Sequence, residues 1–166
     1  MEKTVSRGLL VIYLVILIWF VLFKLTFSIP SLLAGANRTL NLIPFAAPAI
    51  KNGRVNYGEM IMNCVIFIPF GLLLSASFKK AKFLPKLGFI LAFSFIVELL
   101  QYIFGIGATD ITDLITNTLG GFLGLQLYDL SNKYISSKNL DRAIIVIGIL
   151  LLLASLFMRF IFIILR

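Results

Sequence analysis

The chain has 166 residues, of which 60% are hydrophobic and 13% are charged. A soluble globular domain has about 45–50% apolar and about 25% charged residues, so the composition excludes a water-soluble enzyme. It also excludes a disordered chain, because disorder requires a low apolar content. The net charge of +8 lies in short segments between apolar runs. This distribution indicates membrane orientation and anionic head groups rather than nucleic acid.

Two residue types with versatile chemistry are scarce: histidine is absent, and Cys64 is the single cysteine. The absence of histidine excludes a Ser-His-Asp triad, a Cys-His pair, haem and the usual zinc sites. One cysteine cannot form an intramolecular disulfide. Any acid–base chemistry must therefore come from carboxylates, amides, hydroxyls or lysine.

Five apolar stretches approach the length of about 20 residues that a helix needs to cross the hydrocarbon core of a bilayer. In chain order they cover residues 8–23, 57–77, 84–104, 111–130 and 143–165, and the fourth is the most polar. They predict an all-α fold, a bundle of about five transmembrane helices in a single domain.

Residues 24–56 form the long connection between the first two predicted helices. They contain Pro30, Pro44 and Pro48, and their apolar patch at residues 40–45 is too short to span a bilayer. We therefore predict that this segment is interfacial or re-entrant and lies against the helix ends. The alternative is a plain exposed loop.

Lysine and arginine in the short loops predict the orientation, because cytoplasmic loops are enriched in these residues. Loops 78–86 and 131–142 are basic, whereas turn 105–109 carries no lysine or arginine. This pattern places the N-terminus and the two basic loops in the cytoplasm, and segment 24–56, the turn and the C-terminus outside. Four basic residues of segment 24–56 argue the other way: Lys24, Arg38, Lys51 and Arg54.

Polar side chains inside the predicted helices are candidates for function, because they are costly in lipid and normally face the bundle interior. They lie toward the predicted outer end of the second, third and fourth helices: Glu59, Asn63, Glu98, Gln101, Asp110, Asp113 and Asn117. Since three separate helices carry them at one depth, we predict that they share a hydrated pocket beneath the outer surface.

Structural alternatives exist for most of these residues. The amides would also serve as hydrogen bonds between helices, and Asp110 would also serve as the N-cap of the fourth helix. Glu98 and Asp113 are the strongest candidates for chemistry, because a carboxylate within the membrane must be protonated, bind a cation or face water. Three glycines of the fourth helix predict a seam of close helix packing: Gly120, Gly121 and Gly124.

Four short motifs follow one another in the order in which they occur in a known family. They are Asn41–Phe45, Asn63–Gly71, Glu98–Gln101 and Asp110–Gly121, within residues 40–125. At these residues the chain resembles the VanZ-like family, known for teicoplanin resistance in Gram-positive bacteria. Many relatives carry an arginine shortly before the first aspartate, but here the stretch is Gly105–Thr109. An anion contact from that position would have to be replaced by Arg38 or Arg54.

The resemblance implies a multi-pass protein of the bacterial cytoplasmic membrane. It implies one domain over residues 1–166 with a motif-bearing core at residues 40–130, a role in the cell envelope, and a contribution to glycopeptide tolerance. The family has been likened to membrane enzymes that exchange or cleave lipid head groups, which is an analogy of fold rather than evidence of activity.

Our first functional hypothesis is a lipid head-group hydrolase or transferase at the outer leaflet. Glu98 or Asp113 would be the catalytic general base. Six side chains would bind the substrate: Asn63, Gln101, Asp110, Asn117, Arg38 and Arg54. Mg²⁺ or Ca²⁺, which prefer hard oxygen ligands, would be held by Glu98, Asp110 and Asp113.

Two other hypotheses come from different classes of function. The second is a non-catalytic binder of lipid or lipoglycopeptide that alters antibiotic access. The third is a small transporter with a carboxylate proton relay, although the sequence shows no pair of broken helices. The expected partners are membrane lipids or lipid-linked cell-wall precursors, and a glycopeptide antibiotic, with no role for nucleic acid.

Overall fold

The computed structural model describes residues 2–23, 39–45, 50–51, 54–55, 57–104 and 108–164. Helices dominate this part of the chain: α1 (Glu2–Phe23), α2 (Gly58–Ser77), α3 (Phe83–Phe104), α4 (Ile111–Tyr134) and α5 (Ser137–Ile164). Each predicted apolar stretch overlaps one of these helices almost completely, and the predicted all-α class is confirmed.

Within the described residues, three helices are long and apolar enough to cross a membrane: Thr4–Val21, Gly58–Ser77 and Phe83–Phe104. These three are candidates for spanning helices by length and composition, and the predicted count of about five is not confirmed. Helices α4 and α5 form as expected but are not among those three. The polar side chains of α4 that are candidate site residues also lower the mean hydropathy of this helix.

Short strands, which the sequence did not predict, connect the helices at one end of the bundle. They are β1 (Thr39–Asn41), β2 (Ile50–Lys51), β3 (Arg54–Val55) and β4 (Ala108–Asp110). Strands β2 and β3 form an antiparallel pair, while β1 runs parallel to β4 with Asn41 opposite Asp110. Backbone groups that leave a helix need new hydrogen-bond partners, and this pairing places residues 39–41 directly beside the start of α4.

Short connections make the consecutive helices α2 to α5 alternate in direction, since residues 78–82 join α2 to α3 and residues 135–136 join α4 to α5. Contacts at both ends of α1 agree with this arrangement. Near its start, the Arg7 guanidinium lies 5.1 Å from the centroid of the Phe78 ring, just after α2. Near its end, Val21 accepts a 2.7 Å hydrogen bond through its carbonyl from Gln101 on α3. Helices α1 and α3 therefore run in one direction and α2 and α4 in the other.

Helices α2 and α4 pack closely, because glycines at their interface have no side chain and let the two backbones approach each other. A Cβ atom built on Gly120 would collide with the carbonyl of Cys64, and one built on Gly124 would collide with the carbonyl of Ile68. A Cβ on Gly71 would in turn collide with the carbonyl of Gly121. The predicted glycine seam is therefore confirmed, and it extends onto α2.

Lysine-rich loop 78–82 and the neighbouring helix ends form what we call the basic end of the bundle. There Asp141 of α5 forms an ion pair with Lys79 and accepts a 2.8 Å hydrogen bond from the Tyr128 hydroxyl of α4. Lys86 Nζ donates a 3.3 Å hydrogen bond to Ser75 Oγ between α3 and α2. These contacts join four helix ends at the basic end.

We expect Asp141→Ala to lower the free energy of unfolding by about 1–3 kcal/mol, because it leaves the buried Tyr128 hydroxyl without its acceptor. The Lys79 ion pair adds little, since a partly exposed pair is screened by solvent. Thermal unfolding in detergent micelles measures this change. Asp129→Ala, at an exposed position on α4, is the matched control and should change stability by no more than about 0.5 kcal/mol. Equal losses for both variants would contradict the assignment.

Candidate functional site

The end of the bundle opposite the basic end is where α2 begins, α3 ends and α4 begins. We call this the site end, because the polar residues singled out in the sequence converge here. Asp113, in the first turn of α4, accepts a 2.8 Å hydrogen bond at Oδ1 from Asn63 Nδ2 on α2. Both side chains are buried, with Asp113 only 4% exposed. A carboxylate and an amide that are 50 residues apart in the sequence thus form a direct pair between α4 and α2.

Glu98 reaches the same region from the end of α3 and is also only 4% exposed. Its Oε2 atom accepts the backbone N–H of Asp110 at 3.3 Å, and its backbone carbonyl accepts the hydroxyl of Thr109 at 3.2 Å. The carboxylate therefore lies at the N-terminus of α4, where the helix dipole and the free N–H groups favour a negative charge. The two predicted catalytic carboxylates lie on adjacent helices around the first turn of α4.

Asp110 is the N-cap of α4, which confirms the structural alternative for this residue. Its Oδ1 atom accepts the backbone N–H of Thr112 at 2.7 Å, and its Oδ2 atom accepts Asn41 Nδ2 at 3.1 Å. Both carboxylate oxygens are therefore engaged within the chain. A role for Asp110 in binding substrate would have to add to this capping role.

Two of the predicted substrate-binding amides join helices. Gln101 Nε2 donates to the carbonyl of Val21 on α1, and Asn117 Nδ2 donates to Ser94 Oγ on α3 at 3.0 Å. Both side chains are fully buried. Their oxygen atoms, Oε1 and Oδ1, have no hydrogen-bond partner among the residues that the structure describes. Each amide thus combines a donor that joins two helices with a buried acceptor that no described residue satisfies.

The remaining predicted site residues are less well placed by the structure. Arg38 lies outside the described residues, and Arg54 is described only as backbone of β3. In the described part of the chain, no three His, Cys, Asp or Glu side chains are arranged so that they could hold one metal ion. The trio of Glu98, Asp110 and Asp113 does not form such a group here, and the Mg²⁺ or Ca²⁺ site stays a prediction from sequence.

Asn41 is a site residue that sequence reasoning did not select, although it is the first residue of a quoted motif. Besides bonding to Asp110, it accepts the backbone N–H of Ile43 at Oδ1, 3.2 Å away, which forms an Asx-turn. Two residues later, the backbone N–H of Phe45 donates to Thr112 Oγ1 at 3.1 Å. Residues 41–45 therefore form a turn that is attached to the first residues of α4, and we call it the Asn41 turn.

The Asn41 turn carries strain and exposed apolar surface beside the site. Phe45 has a φ of 59°, a left-handed conformation that is unfavourable for a bulky residue. Its ring is exposed, as are the side chains of Leu42 and Ile43. Backbone strain of this kind is often found next to functional sites. The exposed apolar groups agree with the predicted interfacial position of this segment.

We expect Phe45→Gly to be more stable than Phe45→Ala by about 1 kcal/mol, because glycine alone adopts a positive φ without steric cost. The lost ring contributes little to either comparison, since both variants lack it and the ring is exposed. Thermal unfolding of the two variants side by side measures the difference. If the alanine variant proves the more stable one, the left-handed conformation at this position is not adopted in the native protein.

These features define a helical membrane protein whose carboxylates and amides gather at one end of the bundle. The chain belongs to the VanZ/LLP1 family, which matches residues 10–132 and so includes every candidate site residue discussed above. It is 57% identical to Protein VanZ from Enterococcus faecium over 159 residues, which cover 96% of this chain and 95% of that protein. No solved structure gives a significant match.

Proposed function

We propose that this protein acts on lipid-linked head groups or cell-wall precursors at the outer leaflet of the bacterial cytoplasmic membrane and contributes to glycopeptide tolerance, including tolerance to teicoplanin. The N-terminus and the basic end lie in the cytoplasm, in line with the distribution of lysine and arginine. The site end then faces the extracytoplasmic side. Family membership supports the biological role, and the geometry of the site end supports the chemistry.

The observation that carries this proposal is that two buried carboxylates, Glu98 and Asp113, both lie at the start of α4. Each is buried and each is held by a neutral donor, a backbone N–H for Glu98 and the Asn63 amide for Asp113. A buried carboxylate is costly in a membrane protein and is usually retained for function. Either side chain is suited to remove a proton from water or from a substrate hydroxyl as a general base.

Asn63 contributes by orientation. Its amide binds one oxygen of Asp113 and so holds the carboxylate in a defined orientation at the start of α4. The buried oxygens of Gln101 and Asn117 would accept hydrogen bonds from hydroxyl or amino groups of the substrate. The Asn41 turn lies beside the start of α4, because it is hydrogen-bonded to Asp110 and Thr112.

A lipid-linked substrate is favoured over a freely soluble one by the position of the site. It lies where candidate spanning helices begin and end, which corresponds to the depth of lipid head groups. The exposed side chains of Leu42, Ile43 and Phe45 place an apolar surface beside the site, suited to contact acyl chains. Basic residues of segment 24–56 would attract anionic lipid.

The test is a comparison of lipid and cell-wall precursor profiles in cells that express wild type, Glu98→Gln or Asp113→Asn. We expect wild type to change the abundance of at least one lipid-linked species, and both variants to give the profile of cells without the protein. Asp129→Asn, an exposed carboxylate at the basic end, is the matched control and should behave as wild type. Identical profiles for wild type and both site variants would reject the catalytic proposal.

A non-catalytic binder is the second candidate, and the bonding of the site favours it in one respect. Asp110, Gln101 and Asn117 all form hydrogen bonds within the chain, as expected for a rigid binding pocket. In that case the carboxylate-to-amide variants should lower tolerance only modestly. Thr109→Trp, which adds bulk beside Glu98, should abolish it. The catalytic proposal instead requires loss of function in the amide variants.

A further inference from the structure

Helices α1, α2 and α5 enclose an apolar cavity of about 390 Å³ that is separate from the site end. Its lining includes Leu9, Leu17, Phe20, Val65, Leu73 and Ile144. On α2, three residues pack on the glycine seam of α4: Cys64, Ile68 and Gly71. The residue that follows each of them lines the cavity: Val65, Pro69 and Leu72. One position is a rotation of about 100° around the helix, so the cavity lies on a different face of α2 from the glycine seam.

The polar contact in the cavity wall is internal to the bundle. The hydroxyl of Tyr13 donates a 2.6 Å hydrogen bond to the carbonyl of Ile66. That carbonyl lies next to the carbonyl of Val65, whose usual helical donor four residues later is missing because Pro69 has no N–H. With the Tyr13 hydroxyl engaged in this way, the cavity presents a nearly pure hydrocarbon surface.

The cavity opens sideways, toward the surroundings of the bundle. Val65 and Ile147 form part of its lining and are 50% and 57% exposed, respectively. Helices α1 and α2 are both candidate spanning helices, so the opening faces lipid rather than water. Along α1 the lining extends from Leu9 to Phe20, a rise of about 16 Å. The hydrocarbon of one bilayer leaflet is about 15 Å deep, so the cavity is about as long as one acyl chain. It begins near the basic end and continues past the middle of the candidate span Thr4–Val21.

Positive charge lies at one end of the cavity. Its Leu9 end is two residues from Arg7, whose guanidinium is held over the ring of Phe78. The exposed side chain of Lys80 follows two residues after Phe78. Lys79, in contrast, is engaged with Asp141. An acyl chain that enters from the basic end would place its head group next to Arg7 and Lys80, and an anionic head group suits these charges.

We propose that this cavity is a binding site for an anionic phospholipid, with one acyl chain between α1, α2 and α5 and the phosphate beside Arg7 and Lys80. The lipid belongs to the leaflet at the basic end, opposite the site end. It fills a space that would otherwise lack packing contacts and thereby holds α1 and α5 against α2. This site does not depend on the function proposed for the site end.

Photochemical labelling of the full chain in vesicles tests this proposal. The probe is phosphatidylglycerol with a diazirine in its acyl chain, diluted into phosphatidylcholine vesicles, and labelled residues are identified by mass spectrometry. Leu17 and Leu73 are both 2% exposed, so a lipid outside the cavity does not reach them. We expect both to be labelled at least as strongly as Val15, which is exposed on α1 and does not line the cavity.

Substitutions at the opening separate the cavity from the general lipid contact. We expect Val65→Trp to lower labelling of Leu17 at least fivefold while leaving labelling of Val15 unchanged. Val11→Trp is the matched control, because Val11 is exposed and lies outside the cavity lining. Ile147→Trp, from the opposite wall, should repeat the effect of Val65→Trp and keeps the test valid if one variant folds poorly.

The head-group part of the proposal has its own readout. We expect Arg7→Gln to lower labelling of Leu17 by the phosphatidylglycerol probe at least threefold, and to leave labelling by a phosphatidylcholine probe of the same chain unchanged. Absence of label from Leu17 and Leu73, with Val15 labelled, would overturn the proposal. Equal labelling of Leu17 by both probes in wild type and in Arg7→Gln would overturn the assignment to an anionic lipid.

Discussion

Replacing Gly124 by alanine is expected to prevent the protein from accumulating in a folded form. The added Cβ would collide with the backbone carbonyl of Ile68 on α2, and a backbone atom cannot rotate away as a side chain can. Overpacking of a core costs about 1–3 kcal/mol where side chains can adjust. Here α2 and α4 have to separate along the interface that supports the site, so we expect a loss at or above the upper end of that range.

The same reasoning applies to Gly120, which faces the carbonyl of Cys64. Gly88 provides the matched control, because no heavy atom lies within 4 Å of a Cβ built on it. We expect Gly88→Ala to be neutral or to stabilise α3 by up to about 1 kcal/mol through its higher helix propensity. Thermal unfolding in detergent and the yield of monodisperse protein measure these effects. Wild-type stability for Gly120→Ala and Gly124→Ala would show that α2 and α4 do not pack as described.

The second large effect is expected on function rather than on folding. Asp113→Asn should reduce the glycopeptide tolerance that the protein confers to that of cells without the protein, while its unfolding temperature stays close to that of wild type. The fold is retained because an asparagine at this position still accepts the hydrogen bond from Asn63. The chemistry is lost because a neutral amide is not a general base, and such a base contributes about 10²–10⁴-fold to a rate.

Minimum inhibitory concentrations of teicoplanin, with expression levels matched, measure this effect. Glu98→Gln should give the same loss, since its amide oxygen still accepts the N–H of Asp110. Asp129→Asn serves as the control for loss of a carboxylate on α4 and should keep full tolerance. Full tolerance in both Asp113→Asn and Glu98→Gln would mean that the buried carboxylates have only a structural role.

The helices were predictable because apolar runs of the right length have one common solution in lipid. The predicted stretch 57–77 differs by one residue from α2, which is Gly58–Ser77, and the predicted stretch 84–104 differs by one residue from α3, which is Phe83–Phe104. The first helix starts earlier than its apolar run, at Glu2, since a helix continues through polar residues that remain in water. Periodicity in a sequence does not show where such polar turns end.

The candidate site was predictable in part, because alternating helices bring the start of α2, the end of α3 and the start of α4 to one end. The pairing of individual groups was not predictable. Gln101 bonds to a backbone carbonyl of α1, and nothing in the sequence marks that carbonyl as an acceptor. The attachment of Asn41 to Asp110 depends on the pairing of β1 with β4, which joins short segments far apart in sequence.

The most direct test of the account exchanges the two members of the central pair, in the double variant Asn63→Asp with Asp113→Asn. The pair keeps one carboxylate, one amide and their hydrogen bond, but the charge moves from α4 to α2. Because a displacement of about 1 Å in a catalytic group can lower a rate by about 10²-fold, we predict a folded protein whose lipid and cell-wall precursor profile equals that of cells without it. A wild-type profile from the exchanged protein would contradict the proposal that Asp113 takes part in the chemistry.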